Sequence, residues 1–329
     1  MKHSYKYLSR RLALLLMALF VCSFTLTGCG SGGGSDDYDE PASTDTAPID
    51  GAETDVLVDS SQLASWIQGG QVTASASSFD RKVVIVDLST PEDVETYERI
   101  KGACLVNLTA ELTATRFEGV GDAGRLVATG SQMDAVIQRL GIDENTTIVF
   151  PAPGSPYMHT RAYWTFRYWG FDTDQLKLLN GGTPAFAAEY PELMTTTAPT
   201  PDPTTFSVRN LNDLNGDLRA SVGEMIEIVK DLPGSTENMV FDARGGGSES
   251  SYMGTKTTPG LVALDGSTVV FEGHPEGGEF LSWSSLFDED GKFKSAEEIL
   301  ELFKAKTSFS EDKKATVYCT SGYSATPLF

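Results

Sequence analysis

The feature that most constrains the fold is an order of apolar strands and amphipathic helices that occurs twice along the chain. The first half contains the runs VVIVD at 83–87 and TIVF at 147–150, and the second half contains MVFD at 239–242 and TVY at 316–318. Strands that are apolar on both faces are typical of parallel sheets covered by helices on both sides. The order therefore predicts two α/β domains and an internal duplication.

Segments with helical periodicity separate the paired strands. Their apolar positions recur at a spacing near 3.6 residues, which gives each segment one apolar face. These positions are Met133, Val136, Ile137 and Leu140 in one segment, and Ile299, Leu300 and Phe303 in the other. A stretch rich in Pro and Thr at 195–205 indicates an interdomain linker. We expect the first domain to cover residues 56–194 and the second to cover residues 206–329.

The N-terminus has the features of a secretory signal. Four cations precede an apolar run at 12–22, which is too short to span a bilayer. LTGC at 26–29 resembles a bacterial lipobox, and this resemblance implies removal of residues 1–28 and lipidation of Cys29. The alternative is an ordinary signal peptide with an incidental cysteine. Because Gly30 is not the aspartate that commonly retains enteric lipoproteins at the inner membrane, we expect a lipid-anchored envelope protein, with outer-membrane attachment favoured.

Charge limits the partners of the mature chain. The net charge is −21, and because residues 1–28 hold four cations and no anion, their removal leaves −25. Such a charge disfavours nucleic acid and anionic lipid surfaces as partners. Acidic residues are dense among Gly, Ser, Thr and Pro at 29–55, which indicates a disordered tether.

The second half ends with a cysteine in a small polar loop. Cys319 follows the run TVY, and the loop residues after it are Thr320, Ser321, Gly322, Tyr323 and Ser324. Backbone N–H groups in such a loop, together with a helix that we expect to begin at Ala325, favour the thiolate over the thiol. The alternative is a cysteine buried as a small apolar residue.

Other residues that can carry chemistry have structural interpretations. Cys104 lies in an apolar run and indicates a buried strand residue, although pairing with Cys319 stays open. His159 is expected to be a partly exposed residue at a helix start, and His274 to make a structural hydrogen bond in a turn. The sequence has no Cys/His cluster typical of a zinc or haem site, and we expect no cofactor.

Several motifs together resemble those of one known family. In the first half these are RAYW at 161–164, RYWG at 167–170 and LLNGG at 178–182; in the second half they are FDAR at 241–244, the distorted turn GHP at 273–275 and the loop CTSGYS at 319–324. They resemble the tandem-domain rhodaneses, which are thiosulfate and 3-mercaptopyruvate sulfurtransferases. The resemblance implies two rhodanese-like domains with a Cys319 persulfide in the second. Pro151 occupies the position of Cys319 in the first domain, which is therefore expected to be inactive.

The resemblance also implies roles for individual residues. Cys319 would be the nucleophile, the amides of residues 320–324 would stabilise the anion, and the hydroxyls of Ser321 and Ser324 would bind the persulfide or donor. Arg244, with Asp242, would bind an anionic donor, and the alternative is a structural ion pair between these two residues. The donor would be a small sulfur-containing anion and the acceptor a thiol or cyanide.

The loop and the chain end refine these expectations. Because Thr320 and Ser321 are neutral, the loop resembles mercaptopyruvate-type loops more than thiosulfate-type loops. Ser324 and Ala325 stand where a related phosphatase would have an arginine, which disfavours phosphatase activity. The sequence stops four residues after Ala325, so we expect a second domain that is incomplete at its C-terminus. The alternative function is a non-catalytic envelope lipoprotein that acts as a scaffold.

Overall fold

The computed structural model describes residues 56–72, 82–119, 121–152, 154–211, 214–245, 252–253 and 273–329. The predicted signal peptide, the tether and Cys29 lie outside this part of the chain. All described residues belong to one compact unit, residues 51–329.

The first half alternates strands and helices as the sequence predicts. Its strands are Leu57–Val58 (β1), Lys82–Asp87 (β2), Arg99–Ile100 (β3), Ala103–Leu105 (β4), Thr113–Phe117 (β5), Asp122–Val127 (β6), Thr146–Phe150 (β7), Leu176–Leu179 (β8) and Met194–Thr195 (β9). Its helices are Ser60–Gln68 (α1), Leu108–Glu111 (α2), Gly130–Arg139 (α3), Tyr157–Tyr168 (α4) and Gly182–Glu189 (α5). A parallel sheet has the order β1-β8-β7-β2-β4, while β5 and β6 form an antiparallel hairpin.

Strand β2 explains why this sheet is covered on both faces. Val84 and Val86 pack into one hydrophobic cluster, and Val83 and Ile85 pack into another. The first cluster includes the apolar face of α3, whose N-terminus is closed by a capping box between Thr129 and Gln132. The run of β-branched residues therefore forms a doubly covered parallel strand, as predicted.

The second half contains a smaller sheet of the same kind. Its helices and strands are Val222–Lys230 (α6), Asn238–Asp242 (β10), Glu279–Phe280 (β11), Ala296–Lys304 (α7) and Lys314–Tyr318 (β12). The strands are parallel in the order β11-β10-β12. The fold class, mainly parallel sheet flanked by helices, is confirmed.

The residues after the cysteine loop correct one prediction. We expected a helix beginning at Ala325, but residues Thr326–Leu328 form a single 3₁₀ turn. Its amides bond three residues back, from Thr326 to Tyr323 and from Leu328 to Ala325, instead of in the i to i−4 pattern of an α-helix.

Helix α4 places the first half against this turn. The hydroxyls of Thr160 and Thr326 are 2.9 Å apart, and both residues are buried. Nearby, the Phe293 amide donates to the Asn180 side-chain oxygen at 2.8 Å. The first contact holds the turn that follows the cysteine loop against α4, and the second joins the end of β8 to the segment before α7.

Candidate active site

Cys319 lies at the carboxyl end of β12, beside the end of β10. The last paired residues of these parallel strands are Asp242 and Tyr318, and Cys319 follows directly. Sites in α/β folds commonly open at this edge of the sheet. The Cys319 thiol is half-buried. It forms no disulfide with Cys104, because both cysteines are free.

One backbone amide of the loop contacts the sulfur, whereas the prediction covered the amides of residues 320–324. The Gly322 N–H donates to Cys319 Sγ at 3.1 Å. Gly322 has a φ of +73°, a left-handed conformation that turns the loop back towards the sulfur. Tyr323 is buried, Ser321 and Ser324 are half-buried, and Thr320 is exposed. The predicted loop residues therefore lie together, with Gly322 as the amide that reaches the sulfur.

Arg161, on α4, supports this loop from the first half. Its Nη1 atom donates to the Gly322 carbonyl oxygen at 2.8 Å, and its Nη2 atom donates to the Arg125 carbonyl oxygen at 3.0 Å. The guanidinium carbon lies 4.7 Å from the centre of the Trp164 ring and 5.2 Å from that of Tyr323. The sequence motifs included Arg161 but did not assign it this role.

The charge of Arg161 also acts on the cysteine loop. Burial lowers the pKa of Arg161 to about 10, and attraction to Tyr323 and Cys319 partly opposes that lowering. The side chain therefore remains a cation at neutral pH.

Asp242 and Arg244 adopt the arrangement of the structural alternative. The Arg244 Nε atom donates to both Asp242 oxygens, at 2.9 and 2.8 Å, and a terminal nitrogen donates to the Gly273 carbonyl oxygen at 2.8 Å. The Tyr318 hydroxyl donates to the same carboxylate at 3.1 Å. The hydrogen bond with Asp242 raises the pKa of Arg244. Asp242 is fully buried at the end of β10. Because Arg244 contacts both Asp242 and the Gly273 carbonyl oxygen, the ion pair joins the strand ends to the turn at Gly273.

A cavity of about 540 Å³ borders the loop. Thr320, Ser321 and Gly322 line it on the side of the second half, and Arg125 and Arg161 line it on the side of the first half. A volume of this size suits a small molecule. The cavity therefore adjoins the loop residues that follow Cys319, although Cys319 itself does not line it.

The remaining candidate residues are structural in the described part of the chain. His159 is buried, so the expectation of partial exposure was wrong; burial lowers its pKa to about 3, and its ring packs against Phe293. The predicted hydrogen bond of His274 is confirmed, because its Nδ1 atom lies 2.7 Å from the Tyr252 carbonyl oxygen. Cys104 is a buried strand residue as predicted, and burial raises its pKa to about 11.

Within the described ranges, no group of three or more His, Cys, Asp or Glu side chains is arranged to hold a metal ion. Over the same ranges, no helix has the length and apolar character needed to span a bilayer.

Comparisons with known proteins agree with this geometry. The chain is 30% identical over 184 residues to the sulfur carrier protein TtuD of Thermus thermophilus, covering 56% of this chain and 60% of that protein. It is 26% identical over 271 residues to a putative thiosulfate sulfurtransferase of Haloferax volcanii, covering 82% and 83% respectively. The match therefore spans less than two thirds of TtuD but most of the Haloferax protein.

Solved structures identify the fold. The 3-mercaptopyruvate sulfurtransferase SseA of Escherichia coli, described as having the rhodanese fold, superposes with a TM-score of 0.59 at 17% identity, covering 83% of this chain and 91% of SseA. No protein-family model matches the chain. The chain thus has the rhodanese fold and is similar in sequence to sulfurtransferases.

Proposed function

We propose that the protein is a sulfurtransferase in which Cys319 carries sulfane sulfur as a persulfide. The observation that carries this proposal is the position of Cys319 at the end of a parallel strand, with the Gly322 amide on its sulfur. The similarity to sulfurtransferases in sequence supports the reaction class. The fold and the adjoining cavity support the place at which the reaction occurs.

The proposed reaction has two steps. The Cys319 thiolate attacks the donor sulfur that is to be transferred, and a new S–S bond forms. The bond that held this sulfur in the donor breaks, and the rest of the donor leaves with its electron pair. A thiol or cyanide then attacks the outer sulfur of the persulfide, and Cys319 leaves as the thiolate. No external oxidant or reductant is needed because the sulfur atom moves without its bonding pair.

The loop supplies what the anionic sulfur requires. The Gly322 N–H already points at Sγ, and the charge of Arg161 lies behind the loop. These groups would stabilise both the thiolate and the persulfide anion, as donors in an oxyanion hole do for acyl transfer. The neutral side chains of Thr320 and Ser321 favour a mercaptopyruvate-like donor over thiosulfate.

Intact-protein mass spectrometry tests the reaction. After exposure to 3-mercaptopyruvate or thiosulfate, we expect a gain of about 32 Da, the mass of one sulfur, that cyanide removes. Cys104→Ser should retain the gain and Cys319→Ser should lose it. A folded wild-type protein that gains no sulfur from either donor would favour the non-catalytic scaffold instead.

The cellular location is a separate part of the proposal. The lipobox-like LTGC at 26–29 supports cleavage before Cys29 and lipidation of its thiol. In cells fed labelled palmitate, the protein should be labelled and should sediment with membranes, and Cys29→Ser should abolish the label. Label retained by that variant would contradict the anchor without affecting the sulfurtransferase proposal.

A further inference from the structure

Arg125 has an unusual backbone conformation beside the Cys319 loop. Among the described residues other than glycine, it alone has a positive φ, +59°. It lies in β6, where pairing with β5 shifts register between Ala114 and Arg116. Such irregularities redirect a side chain, and strained residues of this kind concentrate at functional sites.

Arg161 ties this strained residue to the cysteine loop. One guanidinium donates to the Arg125 carbonyl oxygen at 3.0 Å and to the Gly322 carbonyl oxygen at 2.8 Å. Arg161 is only 3% exposed, so the side chain that forms this bridge is shielded from water. The backbone of Arg125 is therefore fixed close to the loop that carries Cys319.

The Arg125 side chain presents a positive charge to the cavity. It is exposed and lines the cavity, and its guanidinium carbon lies 5.7 Å from the centre of the Tyr323 ring. No carboxylate in the described ranges is within ion-pair distance of Arg125, although Arg116 and Arg219 both contact Glu118. The charge of Arg125 is thus available to an anion that enters the cavity.

Arg244, the residue that the sequence suggested for this purpose, is already occupied by Asp242. An anionic donor approaching a chain of net charge −21 needs a local cation, and a guanidinium suits a planar carboxylate. We infer that Arg125 is the residue that binds the anionic group of the sulfur donor, which we assign to the class of small carboxylates. This inference rests on the proposed function and adds the first half of the chain to the active site.

Two alkylating reagents test the charge of the site without any sulfur transfer. Iodoacetamide is neutral and iodoacetate carries a carboxylate, and both alkylate the Cys319 thiolate. The readout is the ratio of their second-order rate constants in purified wild-type protein and three variants. We expect Arg125→Gln to lower the iodoacetate to iodoacetamide ratio about fivefold to tenfold, because it removes a charge-assisted hydrogen bond.

The other variants separate charge from backbone and surface effects. Arg125→Lys keeps the cation and should retain most of the ratio. Arg209→Gln removes an exposed arginine that does not line the cavity and should leave the ratio unchanged. The difference between wild type and Arg125→Gln should shrink at about 1 M salt, where the screening length is about 3 Å.

The possible outcomes are distinct. An unchanged ratio in Arg125→Gln would overturn the inference, and so would an equal fall with both reagents, since that result would assign Arg125 to loop architecture. Failure of the proposed function looks different: the alkylation ratio would depend on Arg125 while no donor gave a persulfide mass gain.

Discussion

Arg161 Nη1 lies 2.8 Å from the Gly322 carbonyl oxygen, and the N–H of the same glycine donates to Cys319 Sγ. A residue of the first half therefore orients the loop that carries the candidate nucleophile in the second half. The first half lacks a cysteine at the equivalent position, Pro151, yet it contributes to the site. This relationship gives the buried cation of an aromatic helix a structural role at the site.

Replacing Arg161 should make Cys319 less reactive. Arg161→Met removes the support of the Gly322 carbonyl and the nearby positive charge, so the rate of iodoacetamide alkylation at pH 7 should fall about tenfold. The free energy of unfolding should fall by about 2 kcal/mol, because the partly buried carbonyl oxygens of Gly322 and Arg125 lose their donor. Alkylation rates and urea denaturation measure the two effects.

The matched control for Arg161 is Arg167, on the same helix. Its Nη1 atom donates to the Phe171 carbonyl oxygen at 2.6 Å, and Arg167 does not line the cavity. Arg167→Met should lower the free energy of unfolding but leave the alkylation rate within about twofold of the wild-type rate. A change of that size is smaller than the one expected from losing a charged hydrogen bond. Equal losses of reactivity in both variants would show that general stability, not the Gly322 contact, controls Cys319.

Asp242 should be essential to stability. The carboxylate is fully buried and accepts hydrogen bonds from Arg244 and Tyr318. Asp242→Asn leaves a partly buried guanidinium without its counter-charge and should reduce the free energy of unfolding by about 3 kcal/mol. The exposed pair between Glu227 and Lys230 is the control, and Glu227→Gln should cost less than about 0.5 kcal/mol. Comparable losses in the two variants would contradict a special role for the buried pair.

His159 should make stability depend on pH. Burial lowers its pKa to about 3 from 6.5, so the unfolded chain binds a proton that the folded protein excludes. The stabilising effect of the neutral ring is complete above pH 6.5 and declines as the pH falls towards about 3, by about 1.4 kcal/mol per pH unit. Between pH 6.5 and 5, the wild type should therefore lose about 2 kcal/mol more than His159→Gln.

Urea denaturation at the two pH values measures this difference. If His159→Gln keeps the pH dependence of the wild type, groups other than His159 account for the loss between pH 6.5 and 5.

Local patterns predicted most of the fold and part of the site. The apolar run that forms β2 and the spacing of apolar residues in α3 are set by residues close together in the sequence. The sequence alone therefore predicts both elements. The position of Cys319 at a strand end follows for the same reason. The contact of Arg161 with Gly322 joins residues far apart in the chain, and the left-handed backbone of Arg125 arises from an irregular hairpin. Neither of these features can be recognised from residues close together in the sequence. The same is true of the burial of His159, whose ring packs against Phe293.

Gly322 should tolerate no side chain. Its φ is +73°, and an added Cβ would lie 2.9 Å from Arg161 Nη1, so Gly322→Ala combines backbone strain with a clash at the contact that holds the loop. Gly119 is the matched control, because its φ is +85° but an added Cβ would meet nothing within 4 Å. Gly119→Ala should cost about 1 kcal/mol from strain alone, while Gly322→Ala should cost more and slow Cys319 alkylation about tenfold. Equal stability losses, with alkylation unchanged, would mean that the loop adapts to the methyl group and that the Arg161 contact does not set the reactivity of Cys319.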